Sequence, residues 1–187
     1  METWFINLFG GPGVGKSTVA AAVFAELKKQ GYECELITEY AKDKIWAEHE
    51  AILNDQLYIF AKQHNRVWRV NKKVEFAITD SPLLLSLVYA NEKDNTGPFR
   101  DLVFERFARY NNCNIFIERN VPYSNIGRVQ QTEKEAMAVD VVLKNLLQNS
   151  VGYINMKYDE RLINRIVGVV LDMKRNKIRH STKGEVR

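Results

Sequence analysis

Near the amino end, Gly10-Gly11-Pro12-Gly13-Val14-Gly15-Lys16-Ser17 brings four glycines, a lysine and a hydroxyl together within eight residues. Glycines clustered in this way leave backbone N–H groups open to a bulky anion, because no β-carbon blocks the approach. A helix starting at Lys16 adds its positive end and its unpaired N–H groups. Lys16 can then reach β- and γ-phosphates, and the Ser17 hydroxyl is an oxygen ligand for Mg²⁺. The pattern is that of a P-loop. It predicts ATP or GTP, with ATP as the working assignment, together with Mg²⁺. The ligand would be held by Gly11, Gly13, Val14, Gly15, Lys16, Ser17 and Thr18.

Further groups carry the next step of such chemistry. Asp80 follows the strand-like residues 76–79, where a second ligand for the metal is expected; the alternative is an Asp that opens a turn before Pro82. Glu39 ends another apolar run and is placed either as general base for an acceptor hydroxyl or as a helix N-terminal acid. Asp55, Tyr58, Lys62 and Gln63 fall on one helix face, where Asp55 and Gln63 would line an acceptor pocket or simply meet solvent. Arg119 and Arg128 flank a loop after a fourth strand, and an arginine-bearing lid there would place positive charge on a moving phosphoryl group; surface charge is the alternative. The three histidines have no metal-like spacing with Cys34 and Cys113, so no zinc site is expected.

These residues need a scaffold, and the pattern supplies one. Apolar runs at 4–9, 34–38, 76–79, 114–118 and 153–156 read as strands. Helical stretches are expected at 16–30, at 54–73 capped by Asn54, and at 102–110. Another opens at Thr132 with Glu135 as a capping box, and a closing helix covers 159–174. This alternation predicts an α/β fold: a three-layer P-loop NTPase with about five parallel strands, helices on both faces and a lid loop. With 187 residues, 45% of them apolar, the chain suits one domain, assigned to 1–173. Residues 174–187 hold six Lys or Arg against one Glu and read as a basic, flexible tail, so the body is near neutral despite the net charge of +4. The tail is also placed as an arm for a phosphate backbone. No long apolar run suggests a membrane span and no signal peptide is evident, so the expected location is the cytoplasm, that of the host if the protein is viral.

Taken together, residues 10–17, Thr38-Glu39-Tyr40-Ala41-Lys42, the Asp55 to Gln63 helix, Asp80-Ser81-Pro82 and Gly127-Arg128 resemble the nucleoside-kinase-like branch of P-loop kinases. The likeness is to ribosylnicotinamide kinase domains and to bacteriophage ATP-binding proteins, and it covers most of residues 4–172. It implies that Glu39 handles the acceptor hydroxyl and, more loosely, that Arg128 belongs to the lid. Deoxynucleoside and thymidylate kinases usually follow the third-strand acid with Arg, whereas Ser81 stands here. Among the phage relatives are thymidylate-kinase-like enzymes acting on hydroxymethyluracil within DNA. The expected partner is therefore a nucleoside-type acceptor, with that modified base in DNA placed narrowly first and free nucleosides or nicotinamide riboside next. A nucleotide-dependent switch or ATPase without an acceptor is the reading from another class.

Overall fold

All six residues of β1 (Trp4–Phe9) are buried, as a strand covered on both faces requires. The computed structural model describes residues 1–120 and 132–183. In it β2 (Cys34–Ile37), β3 (Phe76–Thr79), β4 (Asn111–Glu118) and β5 (Ile154–Lys157) join β1 in one parallel sheet ordered β2-β3-β1-β4-β5. Successive strand residues point to opposite faces. Ile6, Leu8, Ile78, Ile115 and Ile117 meet α1 (Lys16–Lys29) and α7 (Leu162–Lys183) on one side. Phe5, Phe9, Ala77 and Phe116 meet α3 (Gln56–Trp68), α5 (Gly97–Ala108) and α6 (Glu133–Ser150) on the other. The three-layer α/β architecture is the one the strand and helix alternation implies.

Register brings the chemistry together. Asn7 of β1 lies opposite Thr79 of β3, and Ile37 of β2 lies opposite the same Thr79. The glycine loop, Asp80 and Glu39 therefore all leave the sheet at one edge, on adjacent strands about 4.8 Å apart. Two short helices complete that edge: α2 (Tyr40–Trp46), with a 3-10 turn Glu50–Asn54 behind it, and α4 (Leu85–Tyr89).

Boundaries differ from expectation where capping or length decides them. α3 starts one residue past the predicted Asn54 cap, because the Asp55 carboxylate accepts from Tyr58 N–H at 2.9 Å. α5 begins at Gly97 behind a Thr96 cap, earlier than the predicted 102. The capping box at Thr132 and Glu135 is present as read. α7 runs to Lys183, beyond the predicted 174. Lys174 pairs with Glu75 just before β3, and Lys177 pairs with Glu2 at 3.1 Å and donates to Asn111 at the start of β4. The first basic residues of the 174–187 stretch thus sit at the amino ends of the strands, a six-residue strand or about 20 Å from the glycine loop.

Candidate nucleotide and acceptor site

The loop between β1 and α1 is held in the shape its glycines permit. Gly15 caps α1 in the left-handed region at φ 90°, and a β-carbon there would meet the Tyr158 ring at 2.8 Å. The first turn of α1 carries no acidic side chain to offset its positive end. Lys16 Nζ bends back to the carbonyls of Gly10 at 2.7 Å and Gly11 at 3.0 Å, closing the loop over itself. Val14 is fully buried in the core, so its backbone N–H is what it can offer a phosphate, while Ser17 and Thr18 are exposed on the first turn.

A cavity of about 290 Å³ opens beside this loop, and Lys16, Ser17, Glu39 and Asp80 all line it. Asp80 is only 8% exposed. Burial pushes its carboxyl above the ordinary range. Lys16, the backbone N–H groups of Asp80 and Glu39, and Lys42 oppose that rise. Asp80 Oδ1 is buried without a protein partner among the described residues. A spare carboxylate oxygen in one cavity with a serine hydroxyl fits Mg²⁺, which takes few protein oxygens and leaves its other positions to phosphates.

Glu39 stands at the turn from β2 into α2, and its carboxylate makes no capping bond to that helix. The backbone on both sides of it is clamped. Gln63 Oε1 accepts from Tyr40 N–H at 2.9 Å, and Gln63 Nε2 donates to Thr38 O at 3.3 Å. Arg66 Nη1 donates to Thr38 O at 3.0 Å and to its hydroxyl at 2.9 Å. Gln63 does line the cavity, but much of its amide is occupied in holding the segment that carries Glu39. The helix face expected to unite Asp55, Tyr58, Lys62 and Gln63 divides instead. Gln63 is buried, whereas exposed Lys62 lies 5.2 Å over the Tyr58 ring and Asp55 caps α3 away from the cavity lining.

Two residues carry roles that the sequence did not suggest. Lys42 lines the cavity as a second cation near Asp80; its position three residues after Glu39 at a helix start was the available signal. Asp140, on α6, accepts from Gly11 N–H through Oδ1 and from Arg119 Nε at 3.0 Å through Oδ2. A β-carbon on Gly11 would meet Ala136 O at 2.5 Å, so α6 approaches the loop as closely as glycine allows. Arg119 is thus placed beside the loop, paired with Asp140 and outside the cavity lining. Arg128 and its loop lie outside the described residues. With the two side chains only 12% and 16% exposed, Asp140→Ala strands a largely buried guanidinium. The expected loss is about 3 kcal/mol of stability and about tenfold of nucleotide affinity. Denaturant unfolding and nucleotide titration measure both.

A central parallel strand that feeds a glycine loop into a helix, with an acid at the end of the neighbouring strand, defines a P-loop NTPase fold. Within that class the chain belongs to the AAA domain family, whose model matches residues 5–161. Solved structures of the same fold include Kti12 of Chaetomium thermophilum in complex with ADP-AlF3. It is 13% identical, with 90% of this chain and 97% of that one covered at a TM-score of 0.56. Another is deoxyadenosine kinase from M. mycoides with dCMP and dCDP, 18% identical, with 92% and 99% covered at 0.53. The APS kinase CysC of Mycobacterium tuberculosis, with AMPPNP and APS, is 13% identical, with 92% and 98% covered at 0.51. At these identities the likeness is one of fold. Among curated proteins, none matches the chain significantly in sequence. No helix among the described residues is long and apolar enough to cross a membrane.

Proposed function

We propose that this protein transfers the γ-phosphate of ATP to a hydroxyl of a nucleoside-type acceptor. One observation carries the reading: the cavity that starts at Lys16 and Ser17 continues past Glu39 and Asp80 into a pocket walled by α2, α3 and α4. Hydrolysis needs room for a water only, whereas transfer to an alcohol needs a pocket beyond the terminal phosphate.

The loop N–H groups and Lys16 hold the phosphates. Mg²⁺ held by Ser17 and Asp80 would neutralise charge on the β- and γ-oxygens. Glu39 takes the proton of the acceptor hydroxyl as its oxygen bonds to the γ-phosphorus and the bond to the ADP oxygen breaks. The products are ADP, a phosphate monoester and a proton on Glu39. Lys42 supplies positive charge to the transferred group, a role that Arg128 shares under the lid reading; Arg119, paired with Asp140 outside the cavity lining, steadies the glycine loop.

Two of the fold neighbours are named kinases, which supports this reading; Kti12 with ADP-AlF3 is the neighbour that fits an ATPase or switch. For the finer acceptor, hydroxymethyluracil in DNA draws on the basic 174–187 stretch. Lys174 and Lys177 face the opposite end of the sheet from the cavity, so a DNA acceptor would be engaged without these two. The deciding experiment incubates the protein with γ-labelled ATP and free nucleosides, nicotinamide riboside or hydroxymethyluracil-containing DNA. Label is expected on an acceptor. Release of labelled phosphate alone, equal with and without every acceptor, would show an ATPase instead.

A further inference from the structure

The wall of the cavity changes character with distance from the glycine loop. At the loop end stand Lys16, Lys42, Glu39 and Asp80, and among the described residues every charged side chain of the lining is one of these four. The far end is built by Leu53, Gln56, Ile59, Leu85, Ser86 and Tyr89, from the 3-10 turn, α3 and α4. Two polar side chains are sunk into this apolar region, Gln56 and Ser86, each only 7% exposed. Gln56 Nε2 donates to Leu53 O at 2.8 Å, which fixes the orientation of the amide, while its Oε1 meets no protein donor among the described residues. The Ser86 hydroxyl likewise makes no hydrogen bond among the described residues. Neither atom is sealed from solvent, because the buried side-chain atoms left without a partner among the described residues are Asp80 Oδ1 and Arg119 Nη1. Gln56 Oε1 and the Ser86 hydroxyl therefore open onto the cavity from facing helices, where the polar edge of a ligand can meet them.

Resting on the phosphotransfer reading, we infer that this far end takes an uncharged, flat heterocycle, hydrogen-bonded through Gln56 Oε1 and the Ser86 hydroxyl. The acceptor is then a neutral nucleoside with its reacting hydroxyl toward Glu39. Leu53, Ile59 and Leu85 give the ring apolar surface, and the polar pair reads its donor and acceptor edge. A ring that carries its own positive charge, as in nicotinamide riboside, would lose water there with no carboxylate at that end among the described residues, since Glu39 and Asp80 stand at the loop end. The volume of about 290 Å³, at the small end of ligand pockets, suits one nucleoside-sized body.

The test uses the full chain, γ-labelled ATP and four neutral nucleosides (adenosine, guanosine, cytidine and thymidine) against nicotinamide riboside, followed by Gln56→Leu and Ser86→Ala. At least one neutral nucleoside should exceed nicotinamide riboside in kcat/KM by about a hundredfold. Each variant should raise the KM of that nucleoside about tenfold while the KM of ATP stays within about twofold. Because Ser86→Ala removes a single oxygen and leaves the packing in place, it remains informative if Gln56→Leu fails to fold. Nicotinamide riboside as the preferred acceptor, or an acceptor KM untouched by Ser86→Ala, overturns the assignment and leaves the kinase reading standing. Absence of transfer to any of the five overturns the assignment; label then found on hydroxymethyluracil-containing DNA leaves the kinase reading standing, and ATP hydrolysed alone with that DNA as well overturns both.

Discussion

Glu39→Gln is expected to lower phosphoryl transfer by about 10²- to 10⁴-fold, the range of a lost general base, with nucleotide affinity held within about twofold. The substitution keeps size and shape and removes the proton acceptor. The structural alternative for Glu39, a helix N-terminal acid, is weak in this geometry because its carboxylate makes no capping bond to α2. The Glu39 backbone N–H supports Asp80, and that contact survives the change. The flanking clamp from Gln63 and Arg66 also acts on backbone and on Thr38, so the turn keeps its shape. A loss confined to transfer, with unchanged nucleotide titration and unfolding midpoint, identifies the carboxylate as the base. Transfer at the wild-type rate would remove Glu39 from the chemistry and return it to the scaffold.

The residues that could be read in advance are those whose role is local to a strand end. The glycine loop, Glu39 and Asp80 each follow a short apolar run, and a parallel sheet places such ends on its ligand-binding edge. Their convergence depends on strand order and register, which no local pattern contains. The start of β4 was missed for an instructive reason. Asn111 and Asn112 look like turn residues, yet Asn7 Nδ2 donates to Asn112 Oδ1 at 2.9 Å and Asn114 Oδ1 at 3.0 Å, and this pairing across β1 and β4 lets asparagines occupy the sheet. α2 showed only through the reading of Glu39 as a helix N-terminal acid; none of its residues is buried, so it has no apolar stripe to detect. Leu57, an apolar residue on the first turn of α3, is 55% exposed. Asp140 reaches Gly11 across 129 positions of sequence, and Gln56 and Ser86 meet the cavity from different helices. Tertiary packing alone relates such residues, and the acceptor end of the site is made of them.

Lys16→Ala is expected to reduce transfer by about 10²- to 10³-fold, the cost of removing one donor aimed at developing phosphate charge. Its ATP affinity should fall by more than its affinity for AMP, since Lys16 is placed to meet the outer phosphates. Lys16 Nζ donates to the Gly10 and Gly11 carbonyls, and nucleotide binding is expected to exchange those contacts for phosphate oxygens. Losing the contacts themselves leaves the carbonyls of two buried glycines without their lysine donor, so stability should fall by about 1–3 kcal/mol. An electrostatic consequence is added. Lys16 is the foremost of the groups opposing the burial that raises Asp80, so its removal drives the Asp80 carboxyl further up and favours the neutral form, which binds Mg²⁺ poorly. Loss of Lys16 therefore weakens the phosphate and the metal sites together, and added Mg²⁺ should restore only part of the activity. Lys16→Arg should not rescue it, because the planar guanidinium does not replace the compact ammonium within a loop closed this tightly. ATP affinity equal to wild type in Lys16→Ala would show that the loop does not bind phosphate through this lysine, and the phosphotransfer reading would fall with it.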